Sequence, residues 1–146
     1  MKLLFTALLL SSLSVLNAGS PTNENAILGK WVTTDNKLVV EVYRQNMAFK
    51  AKVLWFKDVN DQAMNTRTDD KNPDKALRTR KLIGMEVLNK LQFDSKNNEW
   101  VNGQIYDAKR GREWESMAWI SNDHLLKVKG YWVFRFMCQT LTFRKM

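Results

Sequence analysis

Met47-Ala-Phe49-Lys-Ala51-Lys-Val53-Leu-Trp55 is the stretch that decides how this chain folds. Met47, Phe49, Ala51, Val53 and Trp55 recur at every second position, with Lys50 and Lys52 between them. A period of two is the pleat of a β-strand with one face on a core and the other in water. Upstream, Leu38-Val-Val40-Glu-Val42-Tyr43 repeats the pattern, and Arg44-Gln45-Asn46 supplies a turn between the two runs. Downstream, strands are predicted over 83–93, 100–106, 112–120, 125–132 and 137–144. Clusters of turn-forming residues at 94–98, 108–111 and 121–123 separate them. With 31–34 as the first strand, the count reaches about eight, each joined to the next by a short connection. Such a series is an antiparallel meander, and closing it on itself removes its exposed edges. The predicted fold is all-β: an antiparallel up-and-down barrel with one long loop carrying a short helical turn.

The composition fits one small domain. Of 146 residues, 45% are apolar and 11% aromatic, too many for a disordered chain. The single Cys138 cannot form an internal disulfide. Together with His124, the only histidine, it falls short of a Cys/His zinc site. Residues 1–18 read as a secretory signal: Lys2 is the charged start, Leu3 to Leu10 the apolar run, and Ala18 the cleavage position. Losing 18 of 146 residues, and with them the charge of Lys2, takes the net charge from +8 to +7. A linker over 19–25 then leads into a barrel domain over 26–146, secreted or periplasmic, with no membrane-spanning segment after cleavage. The Lys and Arg residues are dispersed along the strands, and no reading motif for nucleic acid accompanies them.

The exception to the short spacing is 57–81, about 25 residues of mostly polar chain where connections seldom exceed 12–15. Asp74 is placed to cap a short helical turn over the residues that follow. Asp70, Asn72 and Asp74 alternate like the opening of a calcium loop. However, Lys75 stands where that loop needs glycine, and Lys81 where it needs a glutamate, so no metal site is predicted. Arg78 and Arg80 have two readings. They pair with Asp70 or Asp107 and fix the loop, or they face the barrel mouth and offer forked donors to an anionic ligand. The candidate ligand-binding residues are Asn72, Asp74, Arg78 and Arg80, with Tyr106, Trp55 and Trp114 as apolar walls. No catalytic constellation is recognisable. His124 lies in a turn, Cys138 lacks a histidine partner, and Glu113 and Glu115 are a carboxylate pair such as any surface supplies. No cofactor is predicted.

Four stretches resemble one bacterial secreted family, the domain of unknown function 2147. They are Gly29-Lys-Trp31; the spaced run from Asp70 through Asn72-Pro-Asp74, Leu77-Arg78, Arg80 and Leu82 to Gly84; Gly103-x-Ile105-Tyr106-Asp107 with Gly111; and Gly130-Tyr131. Ala108 replaces a proline common in the family, and Trp114 replaces a tyrosine. The resemblance implies a small lipocalin-like barrel and export, and assigns no reaction. It also implies how the barrel closes: Gly29 and Trp31 cross one end, and a cation of the last strand, Arg144, packs on the indole. The expected function is binding of a small, partly apolar or anionic ligand. The alternative is an envelope interaction or maintenance protein that takes no small ligand.

Overall fold

Alternating side chains produce eight strands: β1 (Gly29–Thr33), β2 (Leu38–Gln45), β3 (Ala48–Phe56), β4 (Glu86–Asp94), β5 (Glu99–Asp107), β6 (Arg112–Ile120), β7 (Leu126–Trp132) and β8 (Phe134–Lys145). The structure is a computed structural model describing residues 23–58, 64–132 and 134–146, without the side chains of 132–138. The signal segment, most of the linker and the Cys138 side chain lie outside the described residues. Every strand pairs antiparallel with the next, and β8 returns to β1, so the sheet closes into an up-and-down barrel. The predicted fold class holds. Among the described residues no helix is long and apolar enough to cross a membrane.

The N-terminal end of the barrel is plugged. Asn23 caps a single 3-10 turn, Glu24–Ile27, by accepting from the Asn25 amide. Ile27 is fully buried against the core. Trp31 Nε1 donates to the Ile27 carbonyl at 2.8 Å, and Trp100 Nε1 donates to the Glu24 carbonyl at 3.2 Å. Both indoles are thus buried with their one polar atom satisfied, as burial requires.

The cation over Trp31 is Lys145, at 5.2 Å, and not Arg144. The β1–β8 register sets Trp31 opposite Lys145 and Val32 opposite Arg144. A one-residue difference reverses the face. Arg144 therefore points outward and donates to Asn36 Oδ1 at 2.6 Å.

The strand that decided the fold departs from strict alternation at both ends. Asn46 and Met47 have φ of 49° and 65° and form the two-residue turn between β2 and β3, so Met47 sits 83% exposed at its tip. At the other end Val40 pairs with Val53 but Val39 pairs with Trp55, which makes Leu54 the extra residue of a bulge. The bulge turns Trp55 to the outer face and brings Phe56 inward, opposite Leu38, which packs on the core. Strand β4 also starts later than predicted, at Glu86, because Leu82 and Met85 close a turn first.

The long connection carries an arm. Its residues 67–82 fold back on themselves: Thr68 bridges Lys81, the Asp69 amide donates to the Arg80 carbonyl, and the Leu82 amide donates to the Arg67 carbonyl. Arg67 grips Asp58 with two nitrogens, at 3.0 and 2.7 Å, and ties the arm to the end of β3.

Candidate functional site

The arm is held by one carboxylate. Asp69 has no solvent exposure. Its Oδ2 accepts from Asn72 Nδ2 at 2.7 Å, Arg80 Nε at 2.9 Å and Arg80 Nη2 at 2.8 Å. Its Oδ1 accepts from the Tyr106 hydroxyl at 2.7 Å. Burial opposes the charge, but bonds from Asn72, Tyr106 and Arg80, with the Arg80 charge, outweigh it and hold the carboxyl below its ordinary value. Tyr106 responds in the opposite sense. Burial, followed by the bond to the charged Asp69, pushes its hydroxyl up to about 12.

Asn72 links this carboxylate to the rest of the arm. Its amide donates to the Asp69 carbonyl, its Oδ1 accepts from the Asp74 amide at 2.8 Å, and its carbonyl accepts from Arg78 Nε at 2.7 Å. Asp74 caps the 3-10 turn Lys75–Leu77 by accepting from the Ala76 amide, as predicted.

The arm lies on the outside of the barrel wall. On β5, Gly103 and Ile105 face inward, and Ile105 packs on the core. Gln104 and Tyr106 therefore face outward. Tyr106 lies opposite Glu113, and Gln104 lies opposite both Asn89 and Glu115. Between this wall and the arm runs a cleft of about 470 Å³, lined by Asn72, Pro73, Leu77 and Arg80 from the arm, Glu86, Asn89, Tyr106 and Glu113 from the wall, and Gly111. Gly111 belongs to the β5–β6 turn with φ +63°, and a Cβ there would run into the Lys71 carbonyl.

Residues 29–145 match the family described as uncharacterized protein conserved in bacteria, DUF2147. The chain belongs to this family. The match covers the whole DUF2147 barrel, arm included. Among proteins of curated function none matches the chain. Among solved structures, the DUF2147 chain is similar to protein HP1028 from Helicobacter pylori, described as belonging to the lipocalin family. The TM-score is 0.68 with 22% identity, over 82% of each chain. That likeness establishes a lipocalin-like fold.

Of the sequence-predicted site residues, Asn72, Arg80 and Tyr106 come together in this DUF2147 protein. Asp74 and Arg78 support the arm and do not line the cleft. Trp55 is turned outward by its bulge, away from the cleft lining. Trp114 is opposite Ile105 and faces the barrel interior, across the sheet from Tyr106. The expected partners of the arginines also change. Arg80 pairs with Asp69, Lys71 lies by Asp70, and Asp107 pairs with Arg110 of its own turn. The first reading of the loop named Asp70 or Asp107 as the partner of these arginines; the carboxylate that takes Arg80 is Asp69 instead, and Arg78 bonds the Asn72 carbonyl. Arg78 and Arg80 do not face a barrel mouth: their hydrogen bonds stay within the arm, and the Arg80 guanidinium lies over the Tyr106 ring on the outer wall.

Sequence reasoning missed Asp69, Glu86 and Asn89. Asp69 and Asp70 are adjacent and chemically alike. Only the Thr68–Lys81 bridge, which sets Asp69 beside Arg80, separates the buried one from the exposed one.

Proposed function

We propose that this DUF2147 protein is exported and holds a small, partly apolar molecule in the cleft between its arm and the β4–β6 wall. The cleft volume carries the reading, because about 470 Å³ falls within the 300–1,000 Å³ usual for small-molecule sites. Pro73, Leu77 and the Tyr106 ring offer apolar surface, while Asn89, Glu86, Glu113 and Arg80 offer polar groups at its edges. The floor is fixed by the Asp69 bonds, so little ordering is left for a ligand to impose. Export rests on the signal-like segment 1–18.

Native mass spectrometry of protein recovered from its own envelope fraction tests both parts. The expected species begins at Gly19 and carries a small-molecule adduct that a Leu77→Trp variant, which fills the cleft, no longer retains. A chain still beginning at Met1 overturns export. A bare mature protein, or an adduct indifferent to Leu77→Trp, overturns the cleft as the site.

A further inference from the structure

The sequence directs attention to arginines gripping an anion, yet the cleft has the opposite polarity. Both donor nitrogens of Arg80 that reach a partner, Nε and Nη2, go to Asp69, and its guanidinium lies 5.3 Å from the Tyr106 ring centre. Arg78 has its Nε on the Asn72 carbonyl. What remains for a ligand is acceptor-rich. Glu113 is exposed and has no hydrogen bond or ion pair among the described residues. Glu86 takes the Tyr43 hydroxyl at 3.0 Å and Lys50 Nζ at 3.1 Å, both on Oε2, which leaves Oε1. Asn89 Oδ1 is shut off from solvent and meets no donor among the described residues. A buried acceptor without a donor is costly unless a donor arrives. Of the charged groups in the lining, Arg80 is paired with Asp69 beneath it and Glu86 with Lys50 beside it, so the carboxylate without a counter-charge is Glu113. A chain of net charge +8 thus encloses a cleft whose one unpaired charge is negative.

Resting on the reading of this cleft as the ligand site, we infer that its ligand is a small organic cation bearing N–H donors, a primary ammonium or an amidinium, on a short hydrocarbon body. The donors would meet Glu113 and Glu86 Oε1, in the wall beside Asn89. The hydrocarbon would lie along Leu77 and Pro73. Charge-assisted bonds of this kind are shorter and about twice as strong as neutral ones. An anionic end would meet the unpaired Glu113, and Arg80 already has Nε and Nη2 on Asp69.

Three probes that share one hydrocarbon body separate the possibilities: hexylammonium, hexanol and hexanoate, each titrated into the mature protein and followed by residue-resolved amide shifts. Hexylammonium is expected to bind at least tenfold tighter than hexanoate, with shifts confined to Leu77, Asn89, Tyr106 and Gly111. The exposed Glu113→Gln, which leaves the Asp69 bonds intact, is expected to weaken hexylammonium about tenfold while leaving hexanol unchanged. Tighter binding of hexanoate overturns the inference, as does equal binding of all three within the cleft, and either result leaves the cleft a ligand site. Absence of cleft shifts with any of the three overturns the underlying reading as well.

Discussion

Asp69 is out of contact with water and still ionised, because four bonds from three side chains replace the water it has lost. Its carboxyl sits below the ordinary value and the Tyr106 hydroxyl above it, so stability depends on pH at both extremes. A depressed carboxyl contributes stability that is fully present above its unfolded value, about 3.9, and lost as pH falls through the folded one. A raised phenol contributes stability that is present below its unfolded value, about 10, and lost as pH rises through about 12. Urea unfolding at fixed pH should therefore show constant stability between about pH 5 and 9, with a decline on either side. Asp69→Asn should remove about 2–4 kcal/mol at pH 7 and flatten the acid decline. Tyr106→Phe should flatten the alkaline one. An acid limb of unchanged slope in Asp69→Asn would assign that limb to other carboxylates.

At the scale of elements, the arm and the β5–β6 turn fit each other at one glycine. Gly111 has φ +63°, and its missing Cβ is the space taken by the Lys71 carbonyl. Gly84 is also left-handed, at φ +79°, but nothing lies within 4 Å of where its Cβ would be. Alanine at either position incurs the left-handed backbone cost of about 1–2 kcal/mol. Only Gly111→Ala must in addition displace a backbone carbonyl of the arm. Hydrogen exchange should then show the amides of Asp69 and Asn72 losing protection in Gly111→Ala and keeping it in Gly84→Ala, with β4 and β5 protected in both. Equal loss in the two variants would mean that the turn does not hold the arm. This contact is not legible from spacing, because Gly111 and Lys71 are brought together only when the arm docks. What alternation does predict is the strand order and its faces, and these are right through Phe49, Ala51 and Val53. It fails where the backbone leaves the regular pleat: at Met47, placed in a turn by two left-handed residues, and at Trp55, reversed by a single bulge. The cleft was legible only in part. Asn72, Arg80 and Tyr106 belong to the family-like runs, while Glu86 and Asn89 are ordinary polar residues of a strand until the arm lies over them.

For the molecule as a whole, the closed end is where the 3-10 turn Glu24–Ile27 and the end of β8 meet. Ile27 is fully buried, the carbonyls of Glu24 and Ile27 satisfy the two buried indoles, and Lys145 both covers Trp31 and donates to the Ala26 carbonyl at 3.2 Å. These contacts join β1, β5 and β8 through one 3-10 turn, so a barrel whose first strand has only five residues is secured at its seam. The β1–β8 seam itself pairs only three positions. Ile27→Ala should therefore cost about 2–5 kcal/mol, the range for a buried aliphatic side chain leaving a cavity. Tryptophan emission should shift to the red as water reaches Trp31 and Trp100. Lys145→Ala should cost about 0.5–2 kcal/mol from the lost contact with the indole, and the outward-facing Arg144→Ala less than about 0.5 kcal/mol. Thermal or urea unfolding of the three variants orders them directly. If Arg144→Ala proved the more damaging of the two cation variants, the seam register would have to shift by one residue, and every inward side chain of β8 would change face.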